Sequence, residues 1–482
     1  MTITPIIGLE VHVELKTKSK MFCGCNANHF HVEPNTHTCP VCLGLPGALP
    51  VPNKIACEYC IKLGLALGCT PNESSFFERK NYFYPDLAKG YQLTQYEKPF
   101  VINGKIKIGD QEVRINRAHM EEDTGKSVHI KDNGQELTLI DYNRCGVPLV
   151  EIVSEPDITS AQMAKDYLLK IQQIIRYLDI SDADIEKGSM RCEPTINLKI
   201  EKDNQAFYTP LAEIKNVASL TGVLNAIYFE INRQTEEFNK TDEVKSKTNK
   251  TTRGWDADKN QTFLQREKEG SSDYRYFPEP DIPHIEFTKE EIEKIRESIP
   301  EMPDEKNKRY KKDLGLNDYD ANLIAQDINF SKSFEKAISR KTNPDFAKFV
   351  TNLFIGAIKT YLNESQEEID IKKIDPEHFQ NLFDAVSESE ISVTVAKQVI
   401  IESYKSGKDP IEIAKNTGLL QISDSTEIEK LGKEVITANP KAVEDYKKNP
   451  NSIGFLIGQL MKASGGSANP QLAKEILEKL LK

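Results

Sequence analysis

The 482-residue sequence predicts an α+β protein, with a sheet-rich amino-terminal domain, an all-α helical domain and a small all-α tail. Three observations carry this reading. Ile6 to Leu15 alternates apolar and polar residues without a slip, which is the period of a half-buried strand. From Ser160 the apolar spacing changes to that of a helix, and beyond about residue 290 charged amphipathic helical patterns take over. The expected domains are 1–290, 291–391 and 392–482.

Composition narrows the class. Hydrophobic residues make up 38% and charged residues 28%, as in soluble globular proteins. There is no run of about 18 apolar residues and no charged-then-apolar amino terminus, so no membrane span or signal peptide is expected, and the expected home is cytoplasmic. The nine cysteines include several two or three residues apart, which in a reducing compartment points to metal or packing before disulfides. A net charge of −11 means that any contact with nucleic acid is made by local patches.

In the first strand Ile7, Leu9, Val11, Val13 and Leu15 take one face, while Gly8, Glu10, His12 and Glu14 take the other. Alternate side chains stand about 7 Å apart, so two carboxylates and an imidazole lie along one rigid edge. This is either a platform for a divalent metal or an ordinary solvated sheet face. Cys23-Gly24-Cys25 and Cys39-Pro40-Val41-Cys42 follow, separated by thirteen residues. Two close pairs joined by a polar loop suit a tetrahedral Zn²⁺ with Cys23, Cys25, Cys39 and Cys42 as ligands; the alternative is four ordinary thiols. His29, His31 and His37 in the loop leave a ligand swap open. Cys57 and Cys60 sit in a stretch of helical apolar spacing and read as buried.

From Glu78 to Gln92, basic and aromatic residues interleave around Pro85 and Gly90. Arg79, Lys80 and Lys89 could hold phosphates and a tyrosine such as Tyr82 could stack on a base, or the stretch is a turn over an aromatic cluster. Val113 to Glu121 reads as a strand running into Glu121-Glu122-Asp123, which is a solvated loop or the other half of a metal site. Leu149 to Val153 is a short apolar strand carrying Glu151, and Pro156 stops it. Ser160 caps a helix through Tyr167, Ile171 and Ile175. Strand-like sequence returns at 186–193 and 212–216, Ser219 opens a second helix, and Gln234 to Lys250 reads as a mobile loop. Arg266 to Glu269 and Asp273 to Asp281 follow.

Together Ile7-Gly8-Leu9-Glu10-Val11-His12, Arg79 to Asp86, His119 to Lys126, Leu149 to Asp157, Gly188 to Cys192, Glu213 to Asn216 and Asp273 to Asp281 resemble the B subunits of tRNA-dependent amidotransferases, nearly end to end and in the same order. The resemblance implies an antiparallel-sheet cradle similar to glutamine synthetase. It also implies ATP-dependent phosphorylation of glutamate or aspartate misacylated onto tRNA(Gln) or tRNA(Asn), followed by amidation. Ammonia would come from an amidase A subunit, with a small C subunit completing a heterotrimer. Where relatives read Arg-Cys-Asp, this chain has Arg191-Cys192-Glu193.

The residues agree with that chemistry. A carboxylate resists ammonia, whereas an acyl phosphate has a good leaving group. Moving a phosphoryl group onto an anion calls for Mg²⁺ and cationic clamps. Glu10, His12, Glu122 and Glu213 are the expected metal shell, with Glu193 and Glu151 in reserve; Arg79, Lys80, Lys89 and Arg191 are the expected clamp. The chain lacks both the Gly-x4-Gly-Lys-Ser/Thr loop and the Gly-x-Gly-x-x-Gly fingerprint, so a sheet-floored cleft is expected for ATP.

The carboxy-terminal half reads as helices at 289–298, 310–339, 343–364 and 378–388, with Asn317 as a cap, then a tail from about Ser392 ending in Ile453 to Ala463, a Gly465-Gly466 break and a restart at Asn469-Pro470. Lys447, Lys448 and Lys462 are either a solubilising face or, as the resemblance implies, a contact for tRNA phosphates. Two alternatives stay open. One is a non-catalytic subunit that presents tRNA; the other is a stand-alone glutamine-synthetase-like ligase that needs none. ATP turnover with and without misacylated tRNA separates them.

Overall fold

The computed structural model describes residues 1–267, 274–341, 343–420, 425–464, 468 and 470–481. The expectations at Lys268, Glu269, Asp273, Gly465, Gly466 and Asn469, and at the side chains of Lys448 and Pro470, lie outside the described residues. The chain divides into two compact units, Met1–Met302 and Pro303–Lys482.

The first unit is built on a ten-stranded sheet whose central strand, Thr2–Glu14, lies between Pro148–Ser154 and Met190–Lys202, antiparallel to both. Ile7, Leu9, Val11 and Val13 are at most 1% exposed. Burying each such side chain contributes roughly 1.5–3 kcal/mol. A slip by one residue would drive Glu10 and His12 into that core, so the register is firmly set. The core is completed by the helices Lys54–Ala66, Ala161–Tyr177 and Leu220–Thr241, through Cys60, Ile61, Tyr167, Ile171, Ala226 and Ile227 among others. Their starts follow from local chemistry: the side chains of Asn53, Ser160 and Ser219 each accept a hydrogen bond from a first-turn backbone N–H.

Three features differ from the sequence expectation. The sheet is antiparallel except at one pair, Ala212–Lys215 beside Thr251–Asp256, which is parallel because the helix Leu220–Thr241 forms the crossover. That helix runs through the start of the expected mobile loop. Gln234 is buried and donates to the Ile196 carbonyl at 3.2 Å, and Phe238 packs on Leu198 and Ile200. These tertiary contacts override the polar composition. The helix Lys289–Glu297, expected among the helical domains, packs Ile292 and Ile295 against the core of the first unit.

In the second unit Asn317 caps the helix Asp318–Ala325, as its sequence suggests. One core gathers Tyr310, Phe334, Phe354, Phe379 and Val399; another gathers Ile428, Leu456, Leu460 and Leu477. The helix Val393–Ser406, expected to open the tail, belongs to the first of these, because Val395, Val399 and Ile400 bury their apolar stripe there. Among the described residues no helix is long and apolar enough to cross a membrane.

Candidate active site and metal centre

The face of the sheet opposite the helices gathers acidic and imidazole side chains. Strand pairing sets His12 opposite Glu151, and Glu151 opposite His119 on the strand Gln111–Glu122. Glu121 lies two residues on from His119 on the same face. His12 Nε2 is 3.5 Å from Glu151 and 3.9 Å from Glu121, and His119 Nε2 is 3.3 Å from Glu151 and 3.7 Å from Glu121. Ligand atoms of His12, Glu121 and Glu151 all lie within 4.8 Å of one another. Glu121 is held by Gln92 Nε2 at 3.1 Å and Thr94 Oγ1 at 3.0 Å, with the Lys80 ammonium 3.7 Å away.

The electrostatics match the crowding. Burial draws the His12 imidazole down, but its contact with Glu151, reinforced by Glu193 and Glu121, brings it up to about 9. Burial would raise Glu151, yet His119 and His12 hold it well below the ordinary carboxylate range. Burial acts the same way on Glu121, and Lys80 together with His119 more than reverses it. His119 Nδ1 is buried without a hydrogen-bond partner.

Glu10 lies one strand repeat from His12, directly opposite Glu193, and Glu213 pairs with Thr195 on the next strand. Burial and the repulsion of Glu151, Glu213 and Glu193 raise the Glu10 carboxyl. Lys215 ties this second acidic group together, contacting Glu193 closely and Glu213 at 3.3 Å, while Lys250 reaches Glu213 at 3.2 Å. Glu10, Glu193 and Glu213, three of the residues expected around one ion, are thus neighbours in a group of their own. Glu122 is not among them.

Strand alternation is the reason. Glu121 shares the open face with His119, whereas Glu122 turns away, and its carboxylate accepts from the Leu93 N–H at 3.0 Å and pairs with Lys89. Of the three consecutive acids read as a possible half of a metal site, Glu121 rather than Glu122 meets His12 and Glu151, and His119, which the expected shell did not include, lies beside them. The signal was present, since counting by twos from His119 selects Glu121.

The expected clamp divides. Lys80 borders the His12, Glu121 and Glu151 group. Arg79 instead forms two 2.7 Å bonds to the buried Glu279 and lies over the Tyr91 ring, which ties the strand Glu78–Asn81 down. Arg191 is held between Glu14, at 3.1 Å, and Asp123. Lys89 is occupied by Glu122. Tyr82 sits edge-on to Tyr84 and Tyr274, its hydroxyl 3.4 Å from Gln92.

In the cysteine loop the sulfurs of Cys23, Cys25, Cys39 and Cys42 lie within 4.8 Å of one another, a donor set that suits a structural metal ion. Two of the three loop histidines are engaged elsewhere: His29 bonds Glu14 at 2.8 Å and His37 bonds the Asn28 carbonyl at 2.8 Å. A hydrogen bond from Cys23 and the nearby Lys20 ammonium hold Cys42 down at about 5. Cys57 and Cys60 are buried in their helix.

The family model described as "GatB/GatE catalytic domain" matches residues 5–293, and that described as "GatB domain" matches residues 332–481. The aspartyl/glutamyl-tRNA(Asn/Gln) amidotransferase B subunit of Persephonella marina is 47% identical over 488 residues, covering 100% of both chains. Its namesake from Thermosipho melanesiensis is 44% identical, also over 100% of both, and that from Caldicellulosiruptor bescii is 44% identical over 99% of this chain and 98% of its own. With both domain models matched in order and full-length relatives at this identity, the chain belongs to the family of aspartyl/glutamyl-tRNA(Asn/Gln) amidotransferase B subunits.

Proposed function

We propose that the open sheet face binds ATP with Mg²⁺ and phosphorylates the side-chain carboxylate of glutamate or aspartate misacylated onto tRNA(Gln) or tRNA(Asn). Ammonia from an amidase A subunit then attacks the acyl carbon and expels phosphate. The observation that carries this is the convergence of His12, Glu121 and Glu151 from three adjacent strands, flanked by Lys80. A divalent ion bound there would draw charge from the transferring phosphoryl group and orient it. Glu121 and Glu151 supply the hard oxygen ligands such an ion prefers, and His12 completes the set. Gln92 and Thr94 fix the Glu121 carboxylate, His119 fixes Glu151, and Lys80 offers its ammonium to a phosphoryl oxygen. Glu10, Glu193 and Glu213 around Lys215 form a second acidic group facing the same space.

The four clustered cysteines suit a structural Zn²⁺. In the second unit Lys447 and Lys462 are exposed and available to tRNA phosphates. The partners on this reading are the A subunit, the small C subunit and the misacylated tRNA, in a cytoplasmic heterotrimer. The test is ATP turnover by the assembled complex with and without misacylated tRNA. Strong dependence on charged tRNA is expected, and indifference to it would remove the reading.

A further inference from the structure

The cations around the acidic groups are paired with acids: Arg191 with Glu14 and Asp123, Lys215 with Glu193 and Glu213, Lys80 with Glu121, Lys89 with Glu122. Arg117 is the exception. It lies on the strand Gln111–Glu122, two residues before His119 and on the same open face, opposite Val153 and in the row of Glu10. Among the described residues it forms no ion pair. Its one hydrogen bond there runs from Nη1 to Asn116 Oδ1 at 3.3 Å, and its Nε is buried with no partner. A guanidinium with a buried, unanswered N–H beside a metal-ligand cluster is built to receive an oxyanion.

We infer that Arg117 is a binding residue for the polyphosphate of the nucleotide, gripping a phosphate oxygen one strand repeat away from the ion-binding group; this rests on the phosphoryl-transfer reading above. The spacing selects the ligand. Arg117 and His119 are about 7 Å apart along the strand. An anion that contacts both an ion over His12, Glu121 and Glu151 and the Arg117 guanidinium has to be extended and carry oxygens at several points. A polyphosphate does so; a single carboxylate does not. The row also places Arg117 on the side of the cluster away from Glu121, where Lys80 stands, so the two cations bracket the bound chain of phosphates.

The assembled enzyme, as wild type, Arg117→Gln and Arg117→Lys, is titrated with a non-hydrolysable ATP analogue and Mg²⁺ by calorimetry, and KM is measured separately for ATP and for misacylated tRNA. Arg117→Gln is expected to weaken analogue binding roughly tenfold or more and to raise the KM for ATP with that for tRNA unchanged. Arg117→Lys is expected to recover only part, because an ammonium lacks the two-pronged contact. Wild-type analogue affinity in Arg117→Gln overturns the assignment, and so does a rise confined to the KM for tRNA, which would give the oxyanion to the tRNA. If Arg117→Gln fails to assemble, the drop in Arg117→Lys decides. Failure of the wild type to bind the analogue would sink the phosphoryl-transfer reading itself, an outcome distinct from an unchanged variant.

Discussion

The imidazole of His12 and the carboxylate of Glu151 stand 3.5 Å apart on neighbouring antiparallel strands whose register pairs the two residues directly. Neither is held there by a flexible loop. Their positions are as fixed as the backbone ladder, which is what a site needs if it is to bind an ion and a phosphate without reorganising.

The contrast between adjacent acids gives the sharpest test. Glu121→Gln is expected to lower ATP turnover of the assembled complex by roughly a hundredfold or more and to weaken Mn²⁺ binding, since it removes a ligand. Glu122→Gln is expected to retain Mn²⁺ binding but to melt at a lower temperature, because it releases Lys89 and the Leu93 N–H. Equal loss of Mn²⁺ from both variants would contradict the strand-face assignment.

At the cysteine loop, elemental analysis of the purified chain is expected to find about one zinc, lost in Cys42→Ser and kept in Cys57→Ser. Chelation is expected to lower the melting temperature, because metal binding there is part of the folding free energy. Zinc retained in Cys42→Ser would remove this metal from the loop.

Glu230 supplies a pH test away from the site. Burial raises its carboxyl, but Arg233, Thr262 and Arg253 more than compensate, so its folded pKa lies below the ordinary 4.5. A depressed folded pKa contributes stability that is present above the unfolded value and is lost as pH falls through the folded one. Glu230→Gln is therefore expected to cost about 2–3 kcal/mol near pH 7. The gap from wild type should close as pH drops below about 4.5; a gap independent of pH down to 3 would refute the assignment.

Gly64 reverses a familiar rule. Within a helix, glycine to alanine usually stabilises by about 1 kcal/mol. Here the added methyl would collide with the Val101 side chain, where the helix Lys54–Ala66 meets the sheet. Gly64→Ala is expected to destabilise by about 1–3 kcal/mol in a thermal or urea melt.

The sequence by itself determined the local elements and their chemistry. Period-two alternation set the first strand and its Glu10 and His12 face, capping serines set the starts of two helices, and cysteine spacing marked the loop that gathers four thiols. Asn133-Gly134, both at positive φ, is a further local signal, which turns the hairpin of Lys126–Asp132 and Gln135–Asp141. The tertiary structure decided which acids meet and which cations are free to bind. Arg79 and Arg191 resemble Arg117 as letters, yet the first two are neutralised by Glu279 and by Glu14 with Asp123, residues up to two hundred positions away. A side chain's availability depends on partners brought in by strand pairing, and no local pattern encodes that pairing.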